Sequence, residues 1–189
     1  MRAIIISGSR NPEGQTARAA KAFVVGFHSG GGIVEQVFLP AMKIDHCHQC
    51  GADGWGLCRK EGRCELNDDF SPLVEKIKVA DIAVFATPVY FSDLSESMKA
   101  FLDRLRRISF KWQGPKLMDG KLAIGICVAG GGGGGAPQCA VNLEKVLGTI
   151  GFEVVDMVPA RRQNLDEKVA LLSATGKWAA AQKPPEKQS

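Results

Sequence analysis

No apolar run in this chain approaches the ~20 residues that a membrane-spanning helix requires. The first apolar stretch ends at Ser7, too soon to form the core of a signal peptide. Both absences point to a soluble, cytoplasmic protein with no membrane partner. A dominant charge is also missing, since 24 Lys and Arg stand against 20 Asp and Glu, a net of +4. No basic block interleaved with aromatics stands out, so no nucleic-acid partner is expected. Arg104, Arg106 and Arg107 read as a solvated helix end, and Arg161 with Arg162 as a loop pair. The mild positive balance favours small anions such as phosphates and dinucleotides. No internal repeat and no shift of composition marks a second domain. A single domain over 1–182 and a frayed, charged tail over 183–189 follow.

What is present is an ordinary globular composition, 45% apolar and 23% charged over 189 residues. Apolar runs alternate with helix-patterned segments. Ala3–Ser7, Ile33–Leu39, Ala80–Ala86, Lys121–Val128 and Phe152–Val158 read as strands. Helices are expected from Thr16 to about Phe27, from Asp68-Asp69 to Val79, and from Ser95 onward with Met98, Phe101, Leu102 and Leu105 on one face. Two more follow, from Pro137 to about Ile150 and from near Asp166. Strands that are continuously apolar are those of a parallel sheet covered on both faces. The expected fold is therefore α/β, a flavodoxin-like three-layer sandwich with a five-stranded parallel sheet of order 2-1-3-4-5. Ligand would bind at the switch point beside the first strand.

The turn after the first strand, Ser7-Gly8-Ser9-Arg10-Asn11-Pro12-Glu13-Gly14-Gln15-Thr16, has the chemistry of an anion site. Hydroxyls and backbone N–H groups converge at a helix N-terminus, where the dipole favours negative charge. It lacks the Gly-Lys-Ser/Thr ending of a nucleoside-triphosphate loop, and it is not Gly-x-Gly-x-x-Gly. The third strand runs into Thr87-Pro88-Val89-Tyr90-Phe91-Ser92, and the fourth into the unbroken glycine run 130–135. A planar ring needs a flat wall, which Tyr90 and Phe91 supply, and backbone donors, expected near Val89 and Gly130. The glycines permit close backbone approach.

Gly-Ser-Arg-Asn-Pro-Glu-Gly-Gln-Thr, together with Thr-Pro-Val-Tyr-Phe, Ser95, Met98-Lys99-Ala100-Phe101 and Asp103-Arg104, resembles the NAD(P)H-dependent FMN reductase family. It is similar above all to the branch of iron–sulfur flavoproteins and multimeric flavodoxins. The resemblance covers about residues 2–159. It implies that Ser9, Arg10, Gly14, Gln15 and Thr16 hold the FMN phosphate. Thr87, Pro88, Val89, Tyr90 and Phe91 would line the isoalloxazine, and Gly130 and Gly131 would close its far side. The family pattern often has Pro at the place of Arg10 and Arg at that of Asn11. No protein acid or base is implied, because the flavin itself carries the chemistry. A homodimer or homotetramer, with the Met98–Arg107 helix as a contact, is implied by the same likeness.

Of six cysteines, Cys47, Cys50, Cys58 and Cys64 fall in the irregular segment 40–67 after the second strand. Such a group points to metal or redox chemistry before disulfides. In the related iron–sulfur flavoproteins a four-Cys motif at this place holds a [4Fe–4S] cluster. Its first three cysteines are spaced by two residues, whereas seven separate Cys50 from Cys58 here. Three readings stand: a cluster, a tetrahedral zinc site on the four thiols, one of which His46 or His48 could replace, and a loop of free thiols that covers the flavin or a subunit contact. Trp55 reads as a packing residue, and Cys127 and Cys139 as buried ones. The leading expectation is an oxidoreductase that passes electrons from NADH or NADPH through FMN to a quinone, flavin or other small acceptor. The alternative is an iron–sulfur flavoprotein fed by a ferredoxin-like donor. A flavin-free binding module with the same fold is a third.

Overall fold

The computed structural model describes residues 1–109 and 116–182, so the expected tail over 183–189 lies outside the described residues. Strand β1 (Arg2–Ser7) leads into helix α1 (Gln15–Ser29), and β2 (Ile33–Phe38) follows. A short helix α2 (Leu57–Lys60) lies within the long segment that precedes α3 (Phe70–Val79). Then come β3 (Ile82–Pro88), α4 (Glu96–Ser109), β4 (Leu122–Ala129), α5 (Ala136–Ile150), β5 (Glu153–Arg161) and α6 (Leu165–Ala180). All neighbouring strands pair in parallel. The sheet is five-stranded with the order β2-β1-β3-β4-β5.

The sheet separates two apolar cores. Ile4, Ile6 and Phe85 point to one face, where Leu73 and Ile77 of α3, Phe101 and Leu105 of α4, and Leu143 and Leu147 of α5 cover them. Ile5, Val84 and Ile126 point to the other, under Phe23 and Phe27 of α1 and Leu172 of α6. Alternate residues of one strand thus serve opposite cores, which is why the central strands have no polar face. Each large side chain so buried stabilises the fold by about 1.5–3 kcal/mol. On the α1–α6 side the helices meet at glycine. A Cβ on Gly26 would sit 1.9 Å from the Ser173 carbonyl oxygen, and one on Gly176 would sit 2.2 Å from that of Phe23.

Boundaries differ from expectation in instructive places. β3 begins at Ile82, not Ala80, because Asp81 turns the chain: its N–H donates to the Arg2 carbonyl at 2.9 Å, and its carboxylate accepts the Arg2 N–H at 2.7 Å. β5 runs past Val158 to Arg161, because Cys127, Val128 and Ala129 of β4 continue to pair with Pro159, Ala160 and Arg161. An edge strand tolerates the missing N–H of Pro159.

Candidate functional site

Parallel strands bring their C-terminal ends to one edge, so the loops after β1, β3 and β4 become neighbours. The first approaches the third strand closely. Gly8 N–H donates to the Ala86 carbonyl at 2.8 Å, and a Cβ at Gly8 would fall 2.3 Å from Ser95 Oγ. Ser9 and Thr16 are buried and Arg10 is exposed. Ser9 Oγ accepts the Asn11 N–H at 3.3 Å and donates to the Asn11 carbonyl, while Asn11 Oδ1 accepts the Glu13 N–H at 2.9 Å. These bonds shape the turn from within. The N-cap of α1 is Gly14, with no side-chain cap on the helix. Beside it, the buried Gln15 Oε1 has no hydrogen-bond partner among the described residues. An uncapped helix start next to an orphaned polar atom is a place where a polar ligand completes the bonding.

Thr87 does not face outward. Its buried hydroxyl accepts the Ser95 N–H at 3.1 Å and donates to the Pro88 carbonyl at 3.0 Å, tying the start of α4 to the end of β3. The Val89 N–H, expected as a donor to a ring, is engaged by the Val128 carbonyl at 3.0 Å. What this loop offers is its tip. Tyr90 and Asp93 exchange backbone hydrogen bonds at 3.0 and 2.9 Å, and Phe91 and Ser92 between them both have positive φ, 48° and 67°. Positive φ at both central residues is the type I′ arrangement, which normally takes Asn-Gly. Here it projects a fully exposed Phe91 beside a half-exposed Tyr90. Strain retained at an exposed aromatic tip points to use by a ligand.

The glycine run lies against that tip. Gly135, at φ +80°, would place a Cβ 2.7 Å from the Ser92 Cα, so only glycine permits the contact. Gly130, Gly131, Gly132 and Gly134 have open space where a Cβ would be. On the α4 side, a cleft of about 260 Å³ is lined by Gly8, Arg10, Ile44, Tyr90, Glu96 and Ser97. Gly8 and Ser95 of this cleft fall within motifs already singled out in the sequence. Ser97 does not, and its signal is only position, in the first turn of α4.

The cysteine segment folds around one cavity. Cys47, Cys50, Cys58 and Cys64 are all half-buried and all line it, together with Leu57, Leu66, Arg104 and Ile108. The space between them is small, about 20 Å³, close to a single water-sized probe. A zinc ion with Zn–S bonds of about 2.3 Å sets its sulfurs roughly 3.8 Å apart. Among the described residues no three of these thiols lie within 4.8 Å of one another. The four soft donors suit a thiolate-bound metal group, and a single ion would draw them closer together. Burial, then the nearby Glu65 carboxylate and the Cys64 and Cys47 thiols, push the Cys50 thiol above its usual value. Cys127 and Cys139 stay apart from this group in the core.

Arg104 corrects the expectation of a solvated helix end. It is 1% exposed, with Nη1 2.5 Å from Asp68 Oδ2 and Nη2 2.9 Å from Asp68 Oδ1. It also donates to the Asp45 carbonyl at 3.0 Å and to Cys64 Sγ at 3.3 Å, and it lies 4.2 Å above the Phe70 ring. Arg107 stacks 4.0 Å over Trp55, which fastens the inserted segment to α4 and gives Trp55 its packing role.

Comparison with known proteins agrees with this architecture. The family model for NADPH-dependent FMN reductase matches residues 1–164. An iron-sulfur flavoprotein of Methanocaldococcus jannaschii is 30% identical over 131 residues, covering 69% of this chain and 65% of that protein. An FMN-dependent NADH:quinone oxidoreductase of Hydrogenovibrio crunogenus is 35% identical over 104 residues, 50% of this chain and 52% of the relative. The chain spans about half to two thirds of the length of such relatives. The solved NAD(P)H:quinone oxidoreductase from Methanothermobacter marburgensis shares the fold, with a TM-score of 0.71 at 16% identity over 97% of this chain and 98% of that one. By the match over residues 1–164, the chain belongs to the NADPH-dependent FMN reductase family.

Proposed function

We propose that this chain binds one FMN at the C-terminal edge of its sheet and passes electrons from NADH or NADPH to a quinone, a flavin or another small acceptor. The observation that carries the reading is the convergence of an uncapped helix start, a strained aromatic tip and an open glycine wall at one edge. The phosphate would lie at the α1 N-terminus, against Ser9, Gly14, Gln15 and Thr16, where the helix dipole and backbone N–H groups favour an anion. Arg10, exposed at the adjoining cleft, adds a positive charge on that side. The ring would lie between Pro88–Phe91 and Gly130–Gly131, with Tyr90 and Phe91 shielding it from water. Thr87 acts indirectly, by locking the loop to α4. When bound, FMN supplies the chemistry, taking a hydride equivalent from the nicotinamide and delivering electrons to the acceptor.

The partners so implied are small molecules. A homodimer or homotetramer and a cytoplasmic location remain part of the proposal; among the described residues no helix is long and apolar enough to cross a membrane. The test is anaerobic addition of NADH or NADPH to the FMN-loaded protein. Bleaching of the visible flavin band, followed by its return on adding a quinone, supports the reading. A band that neither nicotinamide bleaches contradicts it.

A second reading draws on the thiol cavity, in which four cysteines meet beside the Arg104 guanidinium. There Cys47, Cys50, Cys58 and Cys64 would hold a [4Fe–4S] cluster, and the chain would be an electron carrier fed by a ferredoxin-like donor. Arg104, which donates to Cys64 Sγ, would hold that ligand in place. Analysis of iron, sulfide and zinc after purification without oxygen decides it. About four irons per chain favour the cluster, and none leaves the thiols to a structural role.

A further inference from the structure

Beside the thiol cavity, on the surface, three ligand-type side chains stand together. Among the described residues, Asp45, His46 and His48 are the one group of His, Cys, Asp and Glu with three ligand atoms all within 4.8 Å of one another. His46 Nδ1 lies 2.8 Å from Asp45 Oδ1, and His48 Nε2 lies 2.7 Å from Asp45 Oδ2. Each ring therefore meets its own carboxylate oxygen, and the two ring centroids are 5.2 Å apart.

The footing of this group sets it apart from a chance surface cluster. The Asp45 N–H donates to Asp68 Oδ2 at 3.0 Å, and the Asp45 carbonyl accepts from Arg104 Nη1 at 3.0 Å. Arg104 is 1% exposed. The peptide that carries the three ligands thus hangs from a buried ion pair. Much of the ordering that metal binding usually requires is already present in the fold. Metal–ligand bonds of about 2.0–2.2 Å set neighbouring ligand atoms roughly 3 Å apart, close to the two His–Asp contacts. Two imidazoles with one carboxylate suit zinc, cobalt or nickel, whereas calcium and magnesium prefer all-oxygen sets.

We propose that the Asp45 carboxylate, His46 Nδ1 and His48 Nε2 form a surface site for a divalent first-row transition ion of the zinc class, with water in the remaining positions. The site is independent of the flavin reading and separate from the four thiols. His48 borders both places, so an ion bound there fixes the mouth of the cysteine segment.

Cobalt(II) distinguishes the two places by colour, because thiolates give it intense ultraviolet charge-transfer bands and nitrogen or oxygen ligands do not. The measurement is titration of the wild-type chain and of the H46Q/H48Q double variant with cobalt and then zinc. The substituted side chains are 77% and 43% exposed, and an unchanged melting temperature checks that the fold is kept. The expected result is one more cobalt bound by the wild type than by the variant, without thiolate charge transfer. Each single His→Gln change should weaken that step about tenfold or more, since loss of even an outer partner of a ligand costs 10–100-fold. Equal uptake and affinity in the double variant would overturn the proposal, and so would uptake seen only as a thiolate band.

Discussion

The Arg104 guanidinium and the Asp68 carboxylate meet in two side-by-side hydrogen bonds, at 2.5 and 2.9 Å, between α4 and the end of the cysteine segment. Asp68→Asn leaves the Arg104 charge buried with a neutral partner and should destabilise the fold by about 3 kcal/mol, as loss of one member of a buried pair does. The double variant Asp68→Asn with Arg104→Met removes both charges and should be more stable than Asp68→Asn alone. Urea unfolding of the three proteins tests this. A single variant as stable as the wild type would mean that the pair contributes nothing.

The same pair predicts how acid acts. Burial opposes ionisation of Asp68, but the hydrogen bonds from Arg104 and from the Asp45 and Phe70 N–H groups outweigh it and hold the carboxyl below its usual value. A carboxyl depressed in the folded state adds stability above its unfolded pKa, about 3.9, and loses it as the pH falls through the lower folded value. Stability attributable to this pair should therefore be constant from about pH 7 to 5 and decline below about pH 4. In Asp68→Asn that part of the acid slope should be missing.

Phe91 occupies a position that a glycine or asparagine fits better. Phe91→Asn should raise stability by up to about 1 kcal/mol, because Asn tolerates positive φ in a type I′ turn. The same change should weaken FMN binding, because it removes a fully exposed ring from the loop tip. Thermal melts and flavin titration on one preparation separate the effects. Lower stability with unchanged FMN affinity would show that the ring serves the fold alone.

Gly135→Ala tests the opposite wall. Its Cβ would strain a φ of +80° and collide with the Ser92 backbone, forcing the glycine run away from the aromatic tip. A stability loss of about 1–3 kcal/mol is expected, with FMN affinity reduced about tenfold or more. Gly132→Ala, where a Cβ meets open space, should leave stability nearly unchanged.

Sheet order and layering are legible in the sequence because β1, β3 and β4 are buried on both faces and appear as unbroken apolar runs. The end of β5 is not, since Pro159 and Arg161 resemble a turn and only pairing with β4 keeps them extended. The four cysteines are legible as a group because they fall in one irregular segment, but their uneven spacing does not show that they line one cavity. The burial of Arg104 does not, because its carboxylate partner is 36 residues away and nothing local distinguishes it from Arg106. Thr87, expected in the loop after the third strand, instead belongs to β3, and its inward hydroxyl depends on Ser95, across a turn that chain composition does not describe.

Flavin binding itself is read most directly by fluorescence titration of FMN with the purified apoprotein, beside a variant carrying Ser9→Ala and Thr16→Val. The expected result is quenching that saturates at one FMN per chain, with affinity at least about tenfold weaker in the variant, or roughly 1.4 kcal/mol. Equal affinity in the two proteins would place the phosphate elsewhere. No quenching by the wild-type chain at any FMN concentration would contradict the assignment of this edge as a flavin site.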